Sequence, residues 1–410
     1  MNSNTQLSKQ TLMARQAIFD ANMNTVAYEL LYRSDDNNHA VFDFSGSLAT
    51  IDALLNSYTS VYQNDSLTRL PAFINMTYDL IVKNTLPKLP GNKIVLEILE
   101  DMDVTQELVD SVKSLRSKGY VLALDDFLYD DKYLPLIKLV QIIKIDVLNM
   151  SFEQVTEQVN HLKPYKVSLL AEKIEDHAMF EHCKNLGFKL FQGYFLSKPK
   201  IIKGAKVSSS QVELLSIVRA AQEPKITSAE LEKLILREPV FAFKLLRIVN
   251  SSANGLVREI SSIKEAINIL GIPEVKKWAL IIVLVSDENK PTELSRQLLI
   301  RGRMSEKVAQ DSNITELSGY MIAGMMSGVD ALLDIEMKDL LSQVPLSNDI
   351  KSAISENKGT MGNILKNTID FSQGKLELLP ANIEHEIYDN AYKESLNWVS
   401  ELMQTISKDS

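Results

Sequence analysis

The sequence predicts an α/β fold, a TIM-like (β/α)8 barrel with an antiparallel first strand, followed by an all-α domain. Eight short runs rich in β-forming residues alternate with helical patterns before residue 200, and strand signals stop beyond that point. Most of these runs are separated by enough chain for a crossover helix, which parallel pairing requires. Only the first two are close, and their link, Ala21-Asn-Met-Asn24, suits an antiparallel hairpin.

The first domain is expected to span residues 1–203 and to contain all eight candidate strands. These are residues 16–20, 25–33, 72–76, 94–99, 120–126, 142–146, 167–172 and 189–194. The connector begins at Ser197-Lys-Pro-Lys200 and runs to Lys206. The second domain is expected over residues 207–410.

Helix-start signals dominate the second domain. Thr227-Ser-Ala-Glu230 and Ser262-Ile-Lys-Glu265 have the spacing of a capping box. Pro239 and Pro273 stand where a first helical turn tolerates proline. An apolar stripe with helical spacing begins at Val212. We therefore predict that this domain is all-helical.

The composition is that of an ordinary globular protein, with 45% hydrophobic and 24% charged residues. A net charge of −9 argues against general nucleic-acid or anionic-membrane binding. Cys183 is the single cysteine, which excludes an intramolecular disulfide and favours a reducing compartment. The N-terminus has no apolar core of signal-peptide length, and the apolar run 278–285 is too short to span a bilayer. We therefore expect a cytoplasmic protein without a membrane span.

Polar residues interrupt or end seven successive candidate strands. They are Glu29, Asn75, Glu97, the pair Asp125-Asp126, Lys144, Glu172 and Gln192. Any one of them alone would commonly be a solvated or hydrogen-bonded strand end. In a barrel of this kind the active site forms at the carboxyl ends of the strands, where these residues would meet. Burying the charges together without cations would cost several kcal/mol per uncompensated charge.

Oxygen ligands without histidine or cysteine favour a hard cation, Mg²⁺ or Mn²⁺. Four carboxylates and an amide could hold two such ions, with one aspartate bridging them. Two ions about 3.5–4 Å apart are the usual arrangement for attack on a phosphodiester. Lys144 would add positive charge or orient the attacking water. Gln16 and Arg33, beside the first two strands, could hold a phosphate or a base edge.

The first half resembles the EAL family, cyclic di-GMP phosphodiesterases with a (β/α)8 barrel. The segment Tyr28-Glu-Leu-Leu-Tyr-Arg33 is similar to the family signature, and seven further motifs agree in order across residues 10–200. They include Gln16-Ala-Ile-Phe-Asp20, Ile74-Asn75, Glu97-Ile-Leu-Glu100, Asp125-Asp126-Phe127, Lys144-Ile-Asp146, Ala171-Glu-Lys-Ile-Glu175 and Gln192-Gly-Tyr-Phe-Leu-Ser-Lys-Pro199.

The resemblance implies a role for each matching residue. It implies two-metal hydrolysis of cyclic di-GMP to linear pGpG, with Asp125 as the bridging ligand. The implied metal ligands are Glu29, Asn75, Glu97, Asp125 and Asp126. Lys144 and Glu172 would activate or position water. The residues implied to touch the dinucleotide are Gln16, Leu31, Arg33 and Gln192.

The chain departs from the family pattern directly after Asp126. Family members usually have Gly-Thr-Gly there, and this chain has Leu128-Tyr129-Asp130. Glycine permits backbone angles that leucine and aspartate resist. The sequence therefore leaves two hypotheses open: a phosphodiesterase, or a catalytically silent cyclic di-GMP receptor or scaffold.

The second half resembles the HDOD family, all-helical relatives of HD phosphohydrolases. The resemblance rests on Leu236-Arg-Glu-Pro-Val-Phe-Ala-Phe-Lys-Leu-Leu-Arg-Ile-Val-Asn-Ser251 and Ser261-Ser-Ile-Lys-Glu-Ala-Ile-Asn-Ile-Leu-Gly271. None of the five histidines is followed by aspartate, as an HD enzyme requires. The resemblance implies a non-catalytic domain that regulates the barrel or binds a protein partner. It also allows a homodimer and control of motility, pili or biofilm.

Overall fold

The computed structural model describes most of the chain. The described residues are 11–34, 70–83, 93–195, 198, 223, 225–236, 239–250, 260–285, 290–380 and 384–407. The predicted stripe that begins at Val212 lies outside them. Among the described helices, none combines the length and the apolar character needed to cross a membrane.

Eight strands form in the first half, at the positions that the sequence predicts. They are β1 Thr11–Phe19, β2 Thr25–Ser34, β3 Ala72–Met76, β4 Ile94–Ile98, β5 Val121–Leu124, β6 Ile142–Asp146, β7 Ser168–Ile174 and β8 Leu190–Gly193. The helices between them are α1 Tyr78–Val82, α2 Gln106–Ser117, α3 Leu134–Ile137, α4 Phe152–Leu162 and α5 His177–Leu186. The first strand begins at Thr11 rather than at Gln16, because its pairing with β2 continues to that residue.

The strands close into a barrel in sequence order, with β1 beside both β2 and β8. β1 pairs antiparallel with each of these neighbours, and every other strand pair is parallel. The hairpin between β1 and β2 is fixed by Asp20, whose carboxylate accepts hydrogen bonds from the backbone N–H groups of Asn22 and Asn24. The predicted TIM-like barrel with an antiparallel first strand is confirmed.

One hydrophobic cluster inside the barrel explains where the polar residues lie. It contains Ile18, Ala27, Phe73, Val95, Ala123, Ile142 and Leu170, with Leu190 packed against it. Side chains two residues apart on a strand point to the same side of the sheet. Two residues beyond Phe73, Val95 and Leu170 come Asn75, Glu97 and Glu172. The polar layer therefore lies above the apolar layer, at the carboxyl end of the parallel strands.

Every described element from Ser228 onward is helical, as the sequence predicts. The helices are α6 Ser228–Ile235, α7 Pro239–Val249, α8 Ile263–Leu270, α9 Ile272–Val285, α10 Thr292–Asp311, α11 Ser318–Met326, α12 Val329–Leu333, α13 Met337–Gln343, α14 Asn348–Glu356, α15 Gly359–Ser372 and α16 His385–Ser407. A short 3₁₀ helix, Leu376–Leu378, lies before α16.

The two predicted capping boxes form differently. Thr227 and Glu230 make both reciprocal hydrogen bonds of the motif before α6. Ser262 caps α8 by accepting from the backbone N–H of Glu265. The Glu265 carboxylate, however, accepts from the N–H of Ser261 rather than from that of Ser262. The spacing therefore predicts both helix starts correctly, but only one complete box.

The chain separates into two compact units. The first contains residues 1–195 together with residues 373–386, and the second contains residues 196–372 and 387–410. The short segment after α15 therefore groups with the barrel.

Replacing Gly193, the last residue of β8, is expected to destabilise the barrel. Its φ is +152°, and a Cβ there would overlap the backbone oxygen and nitrogen of Ile174. Gly193→Ala should therefore cost about 3 kcal/mol and lower the Tm by roughly 6–12 °C. Gly187 is the matched control, because its φ is +96° but a Cβ there would meet nothing within 4 Å.

Gly187→Ala should cost only about 1 kcal/mol. Calorimetry of the full chain measures both variants. Equal shifts in Tm for the two variants would contradict the close packing of β7 against β8 at Gly193.

Candidate metal centre

Five carboxylates converge at the carboxyl end of the barrel strands. Glu29 lies on β2, Glu97 on β4 and Glu172 on β7, and Asp125 and Asp126 directly follow β5. One oxygen from each of Glu29, Glu97 and Asp125 lies within 4.8 Å of the others. The same holds for Asp125, Asp126 and Glu172. Because Asp125 belongs to both groups, two adjoining cation positions would share it.

Lys144 is fully buried in the middle of this cluster. Its ammonium nitrogen lies 2.5 Å from Glu97 Oε1, 2.7 Å from Asp125 Oδ1 and 2.9 Å from Glu172 Oε1. A longer contact of 3.5 Å reaches Glu29 Oε2. One cation therefore contacts four of the five carboxylates, and it does so from the centre of β6.

Several buried oxygens in the cluster lack a hydrogen-bond partner within the described part of the chain. They are Asn75 Oδ1, Glu97 Oε2 and Glu172 Oε2. Asn75 and Glu97 are register neighbours on β3 and β4, so their side chains stand next to each other. Carboxylate and amide oxygens are the ligands that Mg²⁺ and Mn²⁺ prefer. These residues therefore fit a hard divalent cation.

The electrostatics of the cluster also favour a cation. Burial raises the pKa of Glu97 well above its usual value, although Lys144 opposes the rise. Burial raises the pKa of Glu172 in the same way, against Lys144, and Asp125 raises it further. Burial alone would lower the pKa of Lys144, but the carboxylates around it raise that pKa well above its usual value. A single buried ammonium group leaves these carboxylates short of positive charge, which a divalent cation would supply.

Three of the four predicted dinucleotide-contact residues lie beside Glu29. The Gln192 amide donates hydrogen bonds to Glu29 Oε2 at 2.7 Å and to Gln16 Oε1 at 3.0 Å. Gln16 and Glu29 are directly opposite in the β1–β2 register. Leu31 is half-buried on β2, on the same side as Glu29. The backbone of Arg33 belongs to β2, and its side chain lies outside the described part of the structure.

Two residues that the sequence analysis did not assign join the edge of the cluster. The Lys173 ammonium lies 2.6 Å from Asp146 Oδ2 and 3.3 Å from each oxygen of Asp126. The position of Asp146 could have been predicted, because it follows Lys144 by two residues on the same strand. Strand alternation would instead point Lys173 away from its neighbour Glu172. Lys173 reaches the site because its φ is +54°.

The loop after β5 is held without unusual backbone angles at the substituted positions. Asp126 has a positive φ, of +40°, and none of residues 128–130 has one. The backbone N–H of Tyr129 donates to the Gln158 side chain at 2.8 Å, and its ring stacks on His161 at 4.5 Å between centroids. Leu128 is 57% exposed. The substituted loop is therefore fixed against α4, and the backbone strain lies at Asp126 itself.

The carboxylate groups described above all lie in the barrel. Within the described residues, the second unit contributes no further group of three metal-ligating side chains. Met325 and Met326 of α11 are fully buried. These two side chains fill the core between helices.

Comparison with known proteins agrees with both resemblances. Residues 64–199 match the EAL domain family, and residues 210–345 match the HDOD domain family. The cyclic di-GMP phosphodiesterase CdgJ of Vibrio cholerae is 32% identical over 87% of this chain and 83% of its own length. The chain belongs to the EAL–HDOD family.

A second relative covers nearly the whole chain. The uncharacterized protein YuxH of Bacillus subtilis is 31% identical over 96% of this chain and 99% of its own length. Among solved structures, Klebsiella pneumoniae BlrP1 in a calcium and cyclic di-GMP complex is 19% identical, with a TM-score of 0.38. That match covers 47% of this chain and 57% of the other chain.

Proposed function

We propose that this chain is a phosphodiesterase that opens cyclic di-GMP to linear pGpG with two Mg²⁺ or Mn²⁺ ions. The observation that carries the proposal is the pair of carboxylate groups that share Asp125 at the mouth of the barrel. The 32% identity to a named cyclic di-GMP phosphodiesterase, over most of both chains, supports the choice of substrate. The EAL match supports it independently of that relative.

We propose that the ions are held by oxygen ligands alone. The proposed ligands are Glu29, Asn75, Glu97, Asp125 and Asp126. When bound, Mg²⁺ or Mn²⁺ would supply a hydroxide nucleophile and offset the charge that develops on the phosphate. The proposed role of Asp125 as the bridge follows from its membership of both groups.

Lys144 and Glu172 are proposed to handle the attacking water. The ammonium of Lys144 lies 2.9 Å from Glu172 Oε1, and Glu172 Oε2 is buried without a hydrogen-bond partner in the described structure. That free oxygen could accept a proton from the water, while the ammonium stabilises the carboxylate and the negative charge that forms beside it.

The dinucleotide is proposed to bind across β1, β2 and β8. Gln16 and Gln192 offer amide groups to a base edge or a phosphate, and Leu31 offers an apolar surface. Arg33 would make the bidentate phosphate contact. Gln192 also donates to Glu29, a proposed metal ligand. Binding of the dinucleotide to Gln192 would therefore affect the position of the Glu29 carboxylate.

A direct assay tests this proposal. The purified full-length protein is incubated with cyclic di-GMP and Mn²⁺, and the products are separated and identified. We expect linear pGpG, its loss on addition of a chelator, and its absence with Glu29→Ala. No turnover above that of the Glu29→Ala control would overturn the proposed activity.

The alternative is a receptor that binds cyclic di-GMP without hydrolysing it. The substituted loop at 128–130 and the contact of Lys173 with Asp126 favour it. In that case the same assay gives no product while equilibrium dialysis still shows dinucleotide binding. Under either reading, we propose that the helical domain regulates the barrel or binds a protein partner.

A further inference from the structure

Lys173 occupies an unfavourable backbone conformation at the edge of the candidate metal centre. Its φ of +54° lies in the left-handed region that side chains other than glycine rarely adopt. The β7–β8 register shifts between Ala171 and Ile174, so the irregularity includes Lys173. Backbone strain of this kind persists where the surrounding structure enforces it, and it concentrates at functional sites. The strain at Lys173 therefore indicates that the position of its side chain has a functional role.

The irregular backbone brings the ammonium group onto two aspartates. Its nitrogen lies 2.6 Å from Asp146 Oδ2, and it is equidistant, at 3.3 Å, from the two oxygens of Asp126. Asp126 also has a positive φ, of +40°. An irregular position near the end of β7 and the loop after β5 are thus both held in uncommon conformations, and their side chains meet in one ion pair.

This ion pair engages a carboxylate that a divalent cation would need. Asp126 belongs to the group formed with Asp125 and Glu172, but not to the group formed by Glu29, Glu97 and Asp125. An ammonium on both oxygens of Asp126 reduces the negative charge that this ligand offers to a second cation. It also places a positive charge directly beside the position of that cation.

We propose that Lys173 is a positioning residue that competes with a divalent cation for Asp126. The proposal rests on the proposed metal site. The cation held by Asp125, Asp126 and Glu172 then binds more weakly than the one held by Glu29, Glu97 and Asp125. Lys173 acts as a tethered positive charge that keeps the second position partly empty when the free metal concentration is low.

The test is direct Mn²⁺ binding by the full-length protein without nucleotide, followed through the paramagnetic resonance signal of free Mn²⁺. We expect one tighter and one weaker ion in the native protein. Lys173→Gln keeps much of the side-chain length but removes the charge, and it should tighten the weaker ion about tenfold. Lys173→Arg keeps the charge and should bind Mn²⁺ as the native protein does.

Two further variants separate charge from backbone strain and from general effects. Lys173→Gly removes both the charge and the strain, so it should fold and should tighten the weaker ion like Lys173→Gln. Lys83→Gln is the matched control, because Lys83 also pairs with an aspartate, Asp79, at 2.5 Å on an exposed helix. It should leave Mn²⁺ binding unchanged.

Three results would overturn the proposal. The first is an unchanged or weakened second ion in Lys173→Gln, and the second is tightening in Lys173→Gly alone, which would assign the effect to the backbone. The third is the absence of Mn²⁺ binding in every variant. The Mn²⁺ measurement uses no substrate and does not depend on turnover. A native protein that binds Mn²⁺ as described but does not hydrolyse cyclic di-GMP would overturn the proposed hydrolysis and not the role of Lys173.

Discussion

Asp125→Asn is expected to reduce phosphodiesterase turnover by roughly 10²–10³-fold, the loss typical when a preorganised charge-stabilising group is removed. Asp126→Asn should cost about tenfold less. The difference follows from the geometry, because Asp125 belongs to both carboxylate groups and Asp126 to one. Asp126 is in addition already paired with Lys173.

Initial rates over a range of Mn²⁺ concentrations measure both variants. High Mn²⁺ should recover part of the activity of Asp126→Asn and little of that of Asp125→Asn. Asp79→Asn serves as the control and should leave turnover unchanged, because Asp79 pairs with Lys83 on an exposed helix and belongs to neither carboxylate group. Equal, small losses for Asp125→Asn and Asp126→Asn would contradict a shared ligand.

Lys144→Met is expected to produce the largest loss of stability in the barrel. Lys144 is fully buried and contacts four carboxylates, and removing one partner of a buried ion pair typically costs about 3–5 kcal/mol. At 2–4 °C per kcal/mol, the Tm should fall by roughly 6–20 °C. Calorimetry in the presence of a chelator measures the loss, and saturating Mn²⁺ should restore part of it.

The loss should depend on pH in a defined direction. The pKa values of Glu97 and Glu172 are raised by burial, and Lys144 opposes both rises. A carboxyl group with a raised pKa in the folded state favours folding at low pH, and that contribution is lost as the pH rises through the raised value. Without Lys144 the two pKa values rise further. Metal-free Lys144→Met should therefore become less stable relative to the native protein as the pH increases from about 4.5. A difference in stability between the two proteins that shrinks as the pH increases would contradict this assignment.

The barrel could be predicted from the sequence because its strands carry a simple alternating signal. Apolar residues such as Phe73 and Val95 precede Asn75 and Glu97 by two positions, so one pattern marks both the core and the site. The order of strands follows from the chain lengths between them. The antiparallel start follows from the short link before Thr25.

Other features depend on backbone conformation and long-range contacts that spacing does not encode. Alternation would direct Lys173 away from the site, and only its positive φ brings it to Asp126. The hydrogen bond from Gln192 to Glu29 joins residues at opposite ends of the barrel sequence. The substitution of Leu128-Tyr129-Asp130 suggested strain in the loop, whereas the structure places the positive φ at Asp126 and ties Tyr129 to α4.

Anomalous diffraction from crystals grown with Mn²⁺ and cyclic di-GMP tests the central claim, a two-cation site built on Asp125, most directly. The structure predicts two Mn²⁺ peaks about 3.5–4 Å apart, with Asp125 bound to both. Glu29 and Glu97 should bind one ion, and Asp126 should bind the other. A single peak, or two peaks of which only one contacts Asp125, would contradict it.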